Sequence, residues 1–392
     1  MLSSYNKMLT KVRKIVAPLR LLITPKRCKS IEINPKYELY RLEKGPPTSA
    51  ELTEEEATLM LQRMLYIRRM ENKAAELYRA RLINGFCHLY SGQEAVAVAT
   101  RSVMQENDTV ITAYRCHAFA SMFGSTARQV FAELMGRKTG TSKGKGGSMH
   151  MYGPNFYGGE GIVGGQESVR ASINKTIQVP IGAGLGFAHK YNGNGAVSFT
   201  LYGDGAASQG QLHEAWNMSK LWNLPTVYIC ENNKYGMGTA THRHSANDKF
   251  YTRGDLIPGI KADGMKIEEV REAVKFGREH ALREGPIVIE VTTYRYFGHS
   301  MSDPGTSYRT REEVKAIQEK HDPIKNFTTL LEEKNLKSKE DIEAMRKAIF
   351  KDVDTQLEES KKDAWPEVSD IAADLYVKKL EESRGMVPWH KV

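Results

Sequence analysis

Four short apolar runs limit what this chain can fold into. They are DTVITAY (108–114), AVSFTLYGDG (196–205), TVYICENN (226–233) and PIVIEVTTYRY (286–296). Their apolar character is continuous rather than alternating, the pattern of a strand buried on both faces. Helical stretches, such as 207–223 and 267–284, lie between them. This alternation predicts an α/β fold, a parallel sheet with helices on both faces. Ligands in such sheets bind beyond the carboxyl ends of the strands. The residues just after each run are therefore the first place to look for chemistry.

The flanks read differently. Residues 31–50 form an arm ending in GPPTS, and Thr53 with Glu56 has the spacing of a capping box. Leu59, Met60, Met64, Ile67 and Met70 then recur at helical intervals, predicting a long amphipathic helix with a core or subunit-packing stripe. After Arg309 the chain turns charged and helical, with Pro323 and Pro366 as punctuation and no expected chemistry. The expected division is 1–30, 31–84 (arm and long helix), 85–310 (α/β domain) and 311–392 (C-terminal helical region).

Charge excludes one class of function. The net charge is +9, but residues 1–30 carry eight basic residues and no acid, which leaves 9 − 8 = +1 for the rest. The body is therefore near neutral, and the basic balance is no argument for nucleic acid. A basic, acid-free N-terminus with interspersed Leu, Ile and Val reads as a mitochondrial transit peptide, the alternative being a disordered basic tail. No run of about 18 apolar residues is present, so no membrane span is expected. The four cysteines are not paired as CxxC, so neither a secreted disulfide framework nor a structural zinc site is expected.

Asp204 ends one apolar run, and Asn232 and Asn233 end the next, with 26 residues between Gly205 and Asn232. On adjacent parallel strands a carboxylate and an amide oxygen would reach the same sheet edge. Hard oxygen ligands suit Mg²⁺, which combines one or two carboxylates with phosphate oxygens. Gly205, Ala206 and Ala207 open the following helix, where small residues let backbone N–H groups approach a phosphate. Taken singly, GDG is a turn and NN a loop; the spacing favours a site. The glycine-rich stretch 136–165 is too long for a turn. Its GTSKGKGGS lacks the spacing of an NTPase phosphate loop.

This combination resembles the thiamine diphosphate signature, GDG followed after about 26 residues by NN. GFCHLYSGQEA, ITAYRCH, GKGKGGSMHMY, FYGGEGIVGGQ, LYGDGAASQGQ, ICENNKYGMGT and YRYFGHSMSDPGTSYRTREE are similar to the alpha subunits of the decarboxylating component of mitochondrial pyruvate dehydrogenases. The resemblance spans roughly residues 31–390, and implies a thiamine diphosphate-binding α/β fold. It implies that Asp204, Asn233 and the Tyr235 carbonyl hold Mg²⁺, and that Gly205, Ala206, Tyr114 and Arg115 meet the diphosphate. Gly161 and Val163 would hold the aminopyrimidine. His88, Tyr114, Gly153 and Tyr235 would lie on the substrate side. His299 would touch the diphosphate and position its loop. His299 and His117 are the catalytic histidines expected; His117 and His150 equally suit a satisfied structural histidine.

The implied reaction is oxidative decarboxylation of pyruvate, with transfer of the two-carbon unit to a lipoyl group on a transacetylase core in the mitochondrial matrix. The family's activating glutamate belongs to a beta subunit, so an α2β2 heterotetramer is expected, inactive without beta. A branched-chain 2-oxo acid or acetoin dehydrogenase subunit, or an inactive paralogue that binds beta, is the alternative. Ser300 and Ser307 match phosphorylation positions that a dedicated kinase and phosphatase would control, while a third such position is Ala240 here. One segment departs from the family: ESVRASINKTIQ (167–178) stands between GIVGGQ and VPIGAG. It is a solvent bulge, a displacement of Gly161 and Val163, or a stretch absent from the native protein.

Overall fold

The computed structural model describes residues 28–33, 35–160 and 178–374. A seven-stranded sheet organises them. Its strands, in chain order, are β2 (Glu38–Tyr40), β4 (Thr109–Ala113), β5 (Phe156–Glu160), β6 (Ser198–Gly203), β7 (Thr226–Asn232), β10 (Gly259–Asp263) and β11 (Ile287–Thr292). The spatial order is β2-β10-β11-β7-β6-β4-β5. All pairings are parallel except β2 with β10.

The sheet is buried on both faces, and the side chains divide with period two. Val227, Ile229, Phe199, Leu201, Ile287, Ile289 and Val291 join one core. Tyr202, Tyr228, Cys230 and Val288 join another. Helices α1 (Glu54–Arg79), α2 (Glu94–Val103) and α8 (Ile267–Glu284) contribute to the first core. The second is closed by α5 (Gln178–Asn192) and α6 (Gln211–Leu221), through Val179, Ala183, Leu212, Ala215 and Trp216. Continuous apolar runs are what covering both faces requires.

The predicted capping box opens α1: Thr53 Oγ1 accepts from Glu56 N at 3.1 Å, and Thr53 N donates to Glu56 Oε2 at 2.9 Å. Met60, Met64, Ile67 and Met70 are buried, whereas Leu59 is 43% exposed and leaves the expected stripe. The arm is more regular than its sequence suggests. β1 (Cys28–Glu32) pairs with β3 (Ser49–Thr53), and β2 takes the antiparallel edge of the sheet. The sheet partner of β2 lies far along the chain, which local pattern cannot anticipate.

Shorter helices complete the architecture: α3 (His117–Met122), α4 (Ala127–Leu134), α7 (Thr241–His244), α9 (Arg311–His321), α10 (Pro323–Glu333) and α11 (Lys339–Ser360). A two-stranded hairpin, β8 (Tyr235–Gly236) with β9 (Thr239–Ala240), precedes α7. Charged contacts dock α11 and the turn after it onto α1 and α4: Arg69 pairs with Asp354, and Arg128 with Asp363. Among the described residues no helix is long and apolar enough to cross a membrane.

Candidate active site

Strands β11, β7, β6 and β4 lie side by side, so their carboxyl ends share one edge. In that order, the strands lead into Thr293–His299, Asn233, Asp204 and Tyr114–Arg115. The topology thus gathers residues separated by up to 185 positions, from Tyr114 to His299.

Asp204 is 1% exposed, yet its Oδ2 has no hydrogen-bond partner. Asn233 Oδ1 is likewise buried and unpartnered. The structure separates the two asparagines of the NN pair. Asn232 Nδ2 donates to Glu290 Oε1 at 2.7 Å, and its Oδ1 accepts from Lys234 N at 3.1 Å, so its amide is spent inside the fold. Of the two, Asn233 keeps a free oxygen. The turns after β6 and β7 touch through their backbones: a Cβ on Gly205 would stand 3.2 Å from Gly236 Cα. Gly205 is therefore needed for close approach, and Tyr235 adjoins the same contact. The helix expected directly after GDG is instead a 3₁₀ turn, Ala206–Ser208, and α6 begins at Gln211.

Beside these oxygens three rings cluster. His88 lies 4.6 Å from Tyr114 and 5.2 Å from His299, centroid to centroid, and Tyr114 lies 5.2 Å from His299. Arg115 braces the cluster by donating to Leu89 O at 2.6 Å and to His299 O at 2.9 Å. Burial, then the Arg115 charge, lowers the pKa of both histidines, His299 to about 4 and His88 to about 2. Both imidazoles are neutral near pH 7 and can donate or accept without adding charge. The positive charge comes from Arg115 and Arg295. Sequence pattern does not single out Arg295, which is 1% exposed and donates to Tyr308 Oη at 3.2 Å and to Met237 O. The one signal for it is an arginine after a strand, as with Arg115.

The glycine-rich stretch is built around an anion of the protein itself. Glu133, fully buried at the end of α4, accepts N–H groups from Ser142, Gly144, Gly146 and Gly147 at 2.7–3.1 Å. Backbone nests of this kind bind anions; here the anion is internal. Gly140 has to be glycine, because a Cβ there would lie 2.3 Å from Glu133 Oε2. The ordered loop delivers Ser148, whose Oγ accepts from His88 N at 3.0 Å and meets His117 Nε2 at 2.8 Å. His117 Nδ1 faces Glu71 Oε2 at 3.0 Å. Both ring nitrogens of His117 are thus engaged and the residue is fully buried. It reaches His88 through Ser148, an arrangement that suits the satisfied-histidine alternative.

The remaining expected residues divide by position. Ala206 is buried beside Gly205. Gly153 sits in the turn before β5, bridging to Phe156 and packed near Phe123. The Tyr235 ring packs 5.3 Å from the Tyr308 ring, centroid to centroid, and its hydroxyl donates to Glu313 Oε1 at 3.2 Å. Gly161, Val163 and the segment 167–177 lie outside the described residues. Ser300 is buried and its Oγ is 2.7 Å from Ser302 Oγ, whereas Ser307 is exposed. Asp303 knits their loop by accepting from His299 N, Gly305 N and Tyr308 Oη at 2.6–2.8 Å.

A parallel sheet with buried, unpartnered oxygens at its carboxyl edge and arginines beside them defines a class: α/β enzymes that hold a phosphorylated group there. Comparison with known proteins gives the family. Residues 62–369 match the model of the dehydrogenase E1 component. The human pyruvate dehydrogenase E1 component subunit alpha, somatic form, mitochondrial, is 46% identical over 358 residues, 91% of this chain and 89% of the relative. The mitochondrial alpha-1 subunit of Arabidopsis thaliana is 48% identical over 335 residues (85% and 83%). The mitochondrial alpha type I subunit of Ascaris suum is 47% identical over 341 residues (87% and 83%). The chain belongs to the dehydrogenase E1 component family, thiamine diphosphate-dependent 2-oxo acid dehydrogenases, and is of the pyruvate dehydrogenase alpha-subunit type.

The electrostatics of the site and the order of its loop are each open to measurement. In the unfolded chain His299 titrates near 6.5, and in the fold near 4. The unfolded state then binds the extra proton between these values, so stability is full above pH 6.5 and falls on acidification toward pH 4. Denaturant midpoints measured across that window should show a shallower slope for His299→Asn; an unchanged slope contradicts the burial of a neutral ring. Glu133→Ala removes the acceptor of four N–H groups. Trypsin should then cut after Lys143 and Lys145 well before the rest of the fold; equal resistance would show that the loop does not depend on Glu133.

Proposed function

We propose that this chain is the alpha half of a pyruvate-decarboxylating E1 enzyme, working with a beta subunit in the mitochondrial matrix. The observation that carries the reading is the pair of buried oxygens, Asp204 Oδ2 and Asn233 Oδ1, left without partners at the shared edge of β6 and β7. Burying an unpartnered polar atom costs about 1–3 kcal/mol, so such a pair suits a ligand that completes it. A hard divalent cation carrying a diphosphate matches two oxygens flanked by arginine. Asp204, Asn233 and the Tyr235 carbonyl would hold Mg²⁺. Gly205, Ala206, Tyr114, Arg115 and His299 would hold the diphosphate, and Gly161 and Val163 the aminopyrimidine.

Thiamine diphosphate, when bound, supplies the electron sink for loss of carbon dioxide from a 2-oxo acid. The chain's own residues bind and orient. Arg115 fixes the His299 carbonyl and so the start of the loop 299–310. Neutral His88 presents a buried, unpartnered Nδ1 next to Tyr114 and His299, suited to a hydrogen bond with an anionic substrate. Buried Arg295 and Arg115 supply the positive field for substrate and diphosphate. Gly153 and Tyr235 would complete the substrate side. The acetyl unit would pass to a lipoyl group of a transacetylase core.

Phosphorylation of Ser300 by a kinase, reversed by a phosphatase, would be inhibitory. A phosphate adds about two negative charges next to His299. It cannot fit beside Ser302 while Asp303 holds the loop closed, so the loop must open. Ser307, exposed on the same loop, is the more accessible acceptor.

Reconstitution tests the reading. The chain with a beta subunit, Mg²⁺ and thiamine diphosphate should decarboxylate pyruvate in preference to branched-chain 2-oxo acids, and the chain alone should not turn over. Activity of the isolated chain, or none in the assembled form, contradicts it. Ser300→Glu should lose most of the lipoyl acetylation while keeping the fold; full activity in that variant sinks the inhibitory account.

A further inference from the structure

The Asp204 carboxylate has a neighbour that the functional reading does not use. The hairpin β8–β9 returns the chain across the sheet edge, with Thr241 N bonded to Lys234 O at 3.0 Å, and leads into α7. The last residue of α7, His244, places Nε2 3.6 Å from Asp204 Oδ2. That is too long for a hydrogen bond, and neither atom has any other hydrogen-bond partner.

The other ring nitrogen is pinned. His244 Nδ1 lies 3.0 Å from Ser245 Oγ and 3.3 Å from Ser208 Oγ. With Nδ1–H donating to these hydroxyls, Nε2 would present its lone pair, the orientation a metal-binding histidine needs. Ligands at about 2.1 Å from one ion stand about 3 Å apart at a right angle and farther at wider angles. The separation of Nε2 and Oδ2 suits two ligands flanking one cation. Gly236 lies beside this nitrogen: a Cβ there would stand 3.5 Å from His244 Nε2.

We propose that His244 Nε2 is a ligand of the divalent cation held by Asp204 and Asn233, giving a mixed oxygen–nitrogen site that favours Mn²⁺ or Co²⁺ over Mg²⁺. The inference rests on the cation reading given under Proposed function. Imidazole raises affinity for borderline transition ions, while Mg²⁺ prefers oxygen alone. A histidine therefore moves selectivity without disturbing the two oxygens. In the sequence the only signal is a histidine four residues past Ala240, and it gains meaning once the fold returns α7 to Asp204.

Pulsed electron paramagnetic resonance on the full chain, assembled with its beta partner and loaded with Mn²⁺ and thiamine diphosphate, tests this. The spectrum should show the ¹⁴N coupling of a directly bound imidazole. Labelling the wild-type histidines with ¹⁵N should change that coupling without any substitution. His244→Ala should lose it while Mn²⁺ stays bound, and the preference for Mn²⁺ over Mg²⁺ should fall. Mn²⁺ bound with no directly bound nitrogen, or a coupling that survives in His244→Ala, overturns the proposal and leaves the cation reading intact. Failure of both proteins to bind Mn²⁺ overturns both.

Discussion

A buried carboxylate oxygen with nothing to bond is the constraint on which this site turns. Asp204 Oδ2 and Asn233 Oδ1 stand at the ends of neighbouring parallel strands, out of water and without donors. The fold tolerates them because β6 and β7 are fixed from both faces by two separate cores. Everything nearby depends on that edge. Gly205 and Gly236 let the two turns touch, Arg115 ties Leu89 to His299, and Asn232 spends its own amide on Glu290 so that the next asparagine can face outward.

The site is rigid because its supports are also buried polar networks. Glu133 orders the glycine-rich loop through four N–H groups, and the loop places Ser148 between His117 and the His88 backbone. Glu71, His117 and Ser148 have the arrangement of a hydrolytic triad. Their burial, and a serine oxygen already accepting from His88, make them a brace instead. Across the site, Asp303 gathers His299, Gly305 and Tyr308 and so holds the loop after β11 closed. A modification at Ser300 would act on a loop held by Asp303 together with Arg115 and Arg309.

Much of this was legible in the sequence, and the reasons are physical. Continuous apolar runs separated by helices encode a parallel sheet, and the carboxyl-end rule then points to Asp204 and the Asn232–Asn233 pair; Tyr114, Arg115 and His299 came from the resemblance, and the structure brings them to the same edge. Three things were not legible. The pairing of the arm with the sheet edge is non-local. The burial of Glu133 and Arg295 depends on loops that converge only in three dimensions. That both ring nitrogens of His117 are engaged, the second by Ser148, shows only in three dimensions. Leu59 fell outside the buried stripe: the buried face runs through Met60–Leu61 and Met64–Leu65, and Leu59 lies on its solvent side.

The central claim is that Asp204 and Asn233 bind thiamine diphosphate through a divalent cation. Titration calorimetry of thiamine diphosphate into the assembled enzyme, with and without that cation, tests it most directly. The expected result is cation-dependent binding that is lost in Asp204→Ala and in Asn233→Ala. Binding of equal strength without the cation, or unchanged in both variants, would contradict it.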